Sequence, residues 1–184
     1  MSELPEHLGG HLNRVHTDRS TLVYLKNKYN IKSMLDVGCG PGDMVQIARD
    51  RGLIAKGIDG DYTLREDWSD KGVEVLLHDF TEGVPNVGEY DLGWSVEFLE
   101  HVYEEFLPNI METYKKCNYV VCTAAPPGWD GHHHVNCQPQ EYWVEKFSDY
   151  GFTLNEEDTA YIRQNSAMRK PFMQRTGMVY VRND

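Results

Sequence analysis

MLDVGCGPGDM, residues 34–44, is the stretch of this sequence that decides the fold. Its apolar start leads into Asp36 and then into Gly38, Gly40 and Gly42, and an amphipathic stretch follows directly. Glycines permit a sharp strand-to-helix turn and let a ligand approach the backbone, where the free N–H groups of the helix N-terminus can bind it. The stretch therefore predicts a ligand site at the end of a first strand.

Two details separate this turn from the dinucleotide-binding pattern. The acidic residue lies inside the strand, as Asp36, and the third glycine comes two residues after the second instead of three. A carboxylate beside the turn would repel a pyrophosphate, but it suits a ligand with a cationic amino group, such as the methionine part of S-adenosylmethionine. The alternative is an ordinary tight turn without a ligand.

Short apolar runs alternate with amphipathic stretches along the chain, which predicts parallel strands joined by helices. The strands are expected at residues 33–37, 55–59, 73–77, 90–95, 119–123, 153–155 and 178–181, and the helices at 20–29, 42–51, 103–116 and 139–150. Residues 1–184 are expected to form one α/β domain, in which residues 1–30 are an N-terminal helical lid or extension. His11 or Arg14 is a candidate for the lid, and a solvated chain start is the alternative.

Acidic residues recur where the second and third predicted strands end. Asp59 lies about twenty residues after the glycine turn, where a strand-end carboxylate can accept hydrogen bonds from both ribose hydroxyls. Asp61 is favoured as a turn residue. Asp79 is a candidate partner for an adenine amino group, with Phe80 beside the ring, and a helix-cap role for Asp79 is the alternative.

The strings LDVGCGPG, GIDGD, HDF and YDLGWSVEFLEHV, in this order, resemble the class I S-adenosylmethionine-dependent methyltransferases over residues 33–155. The resemblance is greatest to small uncharacterised bacterial or phage members. It implies a Rossmann-like, mostly parallel sheet of seven strands in the order 3-2-1-4-5-7-6, with only strand 7 antiparallel, helices on both faces, and S-adenosylmethionine as cofactor. The cofactor-binding residues that it implies, together with the motifs above, are Asp36, Gly38, Cys39, Gly40, Gly42, Asp59, Gly60, Asp79, Phe80, Ser95 and Val96.

Glu97 is one of two candidate catalytic residues, since the resemblance places it beside the reacting methyl group. Within EFLEH, Glu97 and His101 are four residues apart and would share a helix face, as in an acid–base or metal cluster. The resemblance instead gives Glu100 and His101 a role in loop orientation and helix packing.

The second candidate is His134, the last of three consecutive histidines at residues 132–134. In the family that the chain resembles, this connection after the fifth strand faces the substrate. A neutral imidazole can take a proton from a hydroxyl or amine during transfer. Consecutive side chains point in different directions, so the triplet is not expected to bind a metal ion, and a structural role remains the alternative.

The charge and composition of the chain restrict the kinds of molecule that it is expected to bind. The net charge of −11 disfavours a nucleic-acid substrate, although Arg163, Arg169, Lys170 and Arg175 form a locally basic stretch that could face an acidic ligand. The sequence has no apolar run of membrane-spanning length, no signal-peptide pattern at its start and no C-x-x-C pair among its four cysteines. A cytoplasmic protein without membrane contact is therefore expected.

The predicted activity is methyl transfer to an oxygen or nitrogen atom of a small polar molecule. A methyltransferase for nucleic acid or protein is one alternative, and a noncatalytic S-adenosylmethionine-binding protein is another. Against base N-methylation, the position after the fourth strand reads SVEF instead of an Asn/Asp-Pro-Pro-aromatic motif. Against cytosine C5 methylation, the sequence contains no Pro-Cys pair.

Overall fold

The structure is a computed structural model that describes residues 4–9 and 15–183. His11 and Arg14, the predicted lid residues, lie outside the described residues. The strands are β1 (Ser33–Val37), β2 (Ile54–Asp59), β3 (Val75–Leu77), β4 (Tyr90–Ser95), β5 (Cys117–Cys122), β6 (Phe152–Leu154) and β7 (Met178–Arg182). They form one sheet in the order β3-β2-β1-β4-β5-β7-β6, and β7 is antiparallel to both of its neighbours. The predicted sheet order and strand directions are confirmed.

The helices are α1 (Arg19–Tyr29), α2 (Asp43–Asp50), α3 (Arg65–Lys71), α4 (Leu107–Tyr114), α5 (Gln140–Asp149), α6 (Glu156–Asn165) and α7 (Phe172–Thr176). The sequence did not predict α3, α6 or α7. Within the described ranges, no helix combines the length and the apolar character needed to cross a membrane.

Two predicted boundaries were wrong for local reasons. The helix expected over residues 103–116 starts as a 3-10 turn, Glu104–Phe106, and becomes α-helical only at Leu107. Pro108 follows within the first turn of α4, the part of a helix where a residue without an N–H group is tolerated. The third strand starts at Val75 because the N–H of Val73 donates to the Trp68 carbonyl at the end of α3.

Side chains of successive strand residues pack on opposite faces of the sheet, and each face is covered by helices. Met34, Trp94, Val121 and Val179 belong to one buried cluster, together with residues of α1, α2, α6 and α7. Leu35, Val120, Cys122 and Tyr180 belong to the other, together with residues of α4 and α5. This division is the pattern of a parallel sheet buried on both sides.

The buried side chain of Asp158 joins α6 to α1. It accepts hydrogen bonds from Lys28 (2.5 Å), Tyr24 (2.6 Å) and Tyr29, and it has no exposed surface. Burial alone would raise the pKa of Asp158, but these donors outweigh it and lower the pKa. The carboxylate therefore stabilises the fold in its charged form.

The topology determines where a ligand can bind. From β1 the chain runs outward through β2 to β3, and then returns to place β4 on the other side of β1. In open α/β sheets, ligands bind beyond the carboxyl ends of the strands, at the point where the strand order reverses. The glycine-rich turn follows β1 at this point.

Candidate active site

The glycine-rich turn after β1 uses backbone conformations that glycine adopts without steric cost. Gly38, Gly40 and Gly42 have φ angles of 72°, 50° and 82°, in the left-handed region. A Cβ atom at Gly38 would also lie 2.3 Å from the ring of Phe98. The turn therefore brings bare backbone to the end of β1, just before the N-terminus of α2.

Asp59, the last residue of β2, is hydrogen-bonded to this turn. Its Oδ2 accepts from the Gly40 N–H at 2.7 Å, and its Oδ1 accepts from the Asp61 N–H at 2.9 Å. Carboxylate oxygens accept more than one hydrogen bond each, so Asp59 can hold the turn and also accept from a ligand. Asp61 accepts from the Thr63 N–H at 2.9 Å and caps a 3-10 turn.

Asp36 lies within β1, behind the turn. Its side chain is only 4% exposed, and it lines a cavity at the sheet edge. Burial, and secondly the charge of Asp59, raise the pKa of Asp36 well above its usual range. A cationic group in the cavity would favour the ionised form again.

The N-terminal segment, residues 4–9, packs over the carboxyl ends of β2 and β3. His7 Nε2 lies 2.8 Å from Asp79 Oδ2. The Leu8 side chain packs on Gly60 so closely that a Cβ atom there would lie 2.5 Å from it. The segment thus covers one side of the predicted cofactor site.

Asp79 and Phe80, the residues predicted to contact adenine, have partners within the protein. Asp79 Oδ1 accepts from the Thr81 N–H at 2.9 Å and caps a 3-10 turn, the alternative that the sequence left open. Burial would raise the pKa of Asp79, but hydrogen bonds from Thr81 and His7 lower it. Phe80 packs in the core with 7% exposure. Neither residue lines the cavity.

Glu97 follows β4 and has a φ angle of 54°, which is rare for a residue with a side chain. Its N–H donates to Thr123 Oγ1, and the Thr123 hydroxyl donates to Glu97 Oε1, both at 2.8 Å. Burial raises the pKa of Glu97 to about 7, against the lowering effect of the Thr123 hydrogen bond. Thr123 was missed as a site residue; only the adjacency of β4 and β5 could have indicated it.

Glu100 and His101 lie in the 3-10 turn that follows, Leu99–His101. Glu100 is fully buried, and burial together with the charge of Glu97 raises its pKa well above the usual range. Burial, and secondly His134, lower the pKa of His101 to about 4. At neutral pH this imidazole is therefore uncharged.

The three consecutive histidines diverge. His134 packs edge-on against the His101 ring with centroids 4.9 Å apart, and its Nδ1 lies 2.9 Å from the Trp129 carbonyl oxygen. His132 points to the N-terminal segment, with its Nε2 3.1 Å from the Glu6 carbonyl oxygen. His133, by contrast, packs edge-on against the ring of Tyr103.

One cavity of about 330 Å³ connects the glycine turn with this second group of polar residues. The predicted residues that line it are Asp36, Gly38, Cys39, Gly40, Asp59, Val96, Glu97 and His134. The remaining predicted residues, which lie outside the lining, are Gly42, Gly60, Asp79, Phe80 and Ser95. Phe98 and Phe172 also line the cavity and were not singled out, because their sequence pattern does not distinguish them from core aromatics.

Residues 35–122, which include the end of β1, the glycine turn and β2–β5, match the family model described as "Methyltransferase domain". The match covers the strand ends that form the cavity, and the sheet order is the one that the motifs implied. Over these residues the chain is similar to S-adenosylmethionine-dependent methyltransferases of class I. A search of curated proteins found no significant match to this chain.

Solved structures of methyltransferases share the fold of this chain at low sequence identity. The magnesium protoporphyrin IX methyltransferase of Synechocystis, with bound S-adenosylhomocysteine, has 16% identity and a TM-score of 0.65, over 89% of this chain and 81% of that one. The sugar N-methyltransferase of a Streptoalloteichus species has 14% identity and a TM-score of 0.68, over 89% and 85%. An O-methyltransferase from a Brevibacillus brevis polyketide synthase has 16% identity and a TM-score of 0.63, over 90% and 71%.

Proposed function

We propose that this chain transfers the methyl group of S-adenosylmethionine to an oxygen or nitrogen atom of a small polar molecule. The observation that carries the proposal is one cavity whose lining includes both Asp59 and the glycine turn, the proposed cofactor end, and Glu97 and His134, the proposed acceptor end. A cofactor held at the first end would present its reactive group to the second.

The residues present fit this cofactor. Asp59 offers carboxylate oxygens for ribose hydroxyls, and the turn at Gly38 and Gly40 leaves no side chain between ligand and backbone. The buried carboxylate of Asp36 suits the cationic amino group of the methionine part, since an opposite charge offsets the cost of burying it. Val96 also lines the cavity.

The acceptor end supplies a base. The bound cofactor provides a methyl group on a positively charged sulfur, so the acceptor lone pair bonds to that carbon and the C–S electron pair goes to sulfur. The proton of the acceptor goes to the side chain that faces it. Glu97 suits this role, because its pKa of about 7 is close to the working pH. The Nε2 of His134 is the second candidate, since Nδ1 donates to the Trp129 carbonyl.

Cavity size and charge favour a small acceptor. A volume of about 330 Å³ is at the lower end of the usual range of ligand pockets. The net charge of −11 opposes association with a phosphate backbone. Two structures of the same fold are named for a porphyrin and a sugar acceptor. We place the protein in the cytoplasm, as its sequence indicates.

The proposal is tested in two steps. Calorimetry with S-adenosylhomocysteine and with NAD should show binding of the first ligand only. Labelled S-adenosylmethionine is then incubated with fractionated cell extract, and mass analysis identifies any molecule that gains about 14 Da, the mass of one CH₂ group transferred by the cofactor. A preference for NAD would refute the cofactor. Cofactor binding without any labelled product, small or large, would support a noncatalytic binding protein.

A further inference from the structure

Four polar side chains meet beside the acceptor end of the cavity: Glu97, Glu100, His101 and His134. One ligand atom each from Glu100, His101 and His134 can be chosen so that all three lie within 4.8 Å of one another. Residues 4–9 and 15–183 contain no other such group of three. The methyl-transfer chemistry proposed above uses Glu97 and His134 but assigns no role to Glu100 or His101.

Glu100 has a carboxyl group that no cationic side chain neutralises. It is fully buried, and neither oxygen has a hydrogen-bond partner of normal geometry among the described residues, although the Glu97 carboxyl and the backbone N–H of Ala125 lie close to it. No lysine or arginine in the described part of the chain forms an ion pair with it. Burying a carboxylate that no cation and no well-placed donor offsets is costly, and coordination of a metal ion is one way in which proteins offset this cost.

The surrounding backbone fixes Glu100 relative to His134. The Glu100 carbonyl accepts from the N–H groups of Val135 and Asn136, both at 3.0 Å. This clamp attaches the turn after β4 to the segment after β5, and so holds possible ligands from the two segments near one another.

His134 is oriented as a metal-binding histidine would be. Its Nδ1 lies 2.9 Å from the Trp129 carbonyl oxygen, which can only accept, so Nδ1 carries the proton and Nε2 keeps its lone pair. Ligating histidines in proteins commonly donate their second N–H to a carbonyl in this way. The chain also leaves room for Nε2: a Cβ atom at Gly131 would lie 2.1 Å from it.

We propose that Glu100, His101 and His134 bind a divalent first-row transition-metal ion, and that this ion holds an oxygen atom of the methyl acceptor. Two imidazoles and one carboxylate are the ligand set of catalytic zinc sites that keep an open position. Imidazole ligands also favour transition metals over Ca²⁺ and Mg²⁺. The histidine triplet contributes one ligand, not three, and the other two come from the turn after β4.

The position of the ion specifies the acceptor class. His101, His134 and Glu97 line the cavity, so open coordination positions face the space left for the acceptor. A hydroxyl oxygen bound to such an ion ionises more readily than a free one, whereas a protonated amine offers the ion no lone pair. The acceptor is therefore an alcohol or phenol, and Glu97 remains beside it as the base. This identification of the acceptor rests on the proposed methyl transfer, but the metal site does not.

The test measures metal binding by the chelator-treated protein. Calorimetry and elemental analysis with Mn²⁺, Co²⁺, Zn²⁺ and Mg²⁺ should show about one equivalent of a transition metal bound more tightly than Mg²⁺. Glu100→Gln and His134→Ala should each weaken this binding by about 100-fold or more. His132→Ala, which removes the neighbouring histidine, should bind metal as the parent does.

S-adenosylhomocysteine binding is measured on every variant to show that the cavity has folded. Parent protein that binds S-adenosylhomocysteine but no metal would overturn the metal site and leave the proposed function standing. Metal binding without S-adenosylhomocysteine binding would overturn the proposed function and leave the metal site standing. The site would also be refuted by undiminished metal affinity in folded Glu100→Gln protein, or by equal losses in His134→Ala and His132→Ala. If a Glu100→Gln preparation fails to fold, the His134→Ala and His132→Ala pair decides.

Discussion

Removal of the Asp59 carboxylate tests the cofactor end of the cavity most directly. Each hydrogen bond to a charged group contributes about 1.5–3 kcal/mol, and part of this is recovered by water in an open site. Asp59→Ala should therefore weaken S-adenosylhomocysteine binding by about 1–3 kcal/mol, or roughly 5- to 150-fold. The same substitution frees the Gly40 N–H, since Asp59 Oδ2 accepts from it at 2.7 Å.

The two effects are separated with Asp59→Asn and a control. The asparagine keeps the size of the side chain but exchanges one accepting oxygen for a donor, so affinity should still fall. Asp61→Asn, two residues away, alters a cap that accepts from Thr63 and lies outside the cavity lining, and should change affinity little. Affinities come from calorimetry, and thermal unfolding shows that each variant is folded. Equal affinity of the folded Asp59 variants and the parent would remove Asp59 from the ribose role.

Three further predictions concern other parts of the molecule. His134→Ala should leave S-adenosylhomocysteine affinity nearly unchanged but lower turnover on an identified acceptor by about 10²–10⁴-fold, and full activity would make His134 structural. Gly38→Ala should lower the free energy of unfolding by about 2–5 kcal/mol, because it adds a Cβ atom 2.3 Å from Phe98 at a φ of 72°. Gly52→Ala is the control, since Gly52 has a similar φ but no neighbour within 4 Å, and it should lower the free energy of unfolding by less. Equal decreases for the two variants in urea unfolding would contradict this reasoning. Asp158→Asn should lower the free energy of unfolding by about 3 kcal/mol above pH 4, where the lowered pKa of Asp158 in the folded protein keeps the parent charged. The difference in stability between parent and variant should shrink as the pH falls below about 4, the pKa of Asp in the unfolded chain, and then through the folded pKa. A difference in stability that does not change with pH would refute the charge effect.

The strands of the sheet could be predicted from the sequence because they are apolar runs bounded by glycine or polar residues. The helices that escaped prediction have few buried residues. The α3 helix buries only Trp68, and α6 buries Ile162 together with two polar residues, Asp158 and Thr159. A face with one buried apolar residue gives no periodic apolar pattern in the sequence.

The site was predictable where one motif contains all its parts. Gly38, Gly40 and Asp36 belong to one strand and turn, so spacing alone locates them. The partners of Asp79 were not predictable in this way, because His7 lies 72 residues away along the chain. The hydrogen bonds between Thr123 and Glu97 were not predictable either, because they depend on two neighbouring strands that end at the same level of the sheet.

The left-handed backbone at Glu97 means that folding alone would select a different residue at this position. Glycine there would relax the φ angle without steric cost and would remove a carboxylate whose burial raises its pKa. A library screened for heat resistance should accordingly enrich glycine at position 97, and the enriched proteins should be poor catalysts. In the proposed function, position 97 is thus where heat resistance and turnover would impose opposite demands on the same residue.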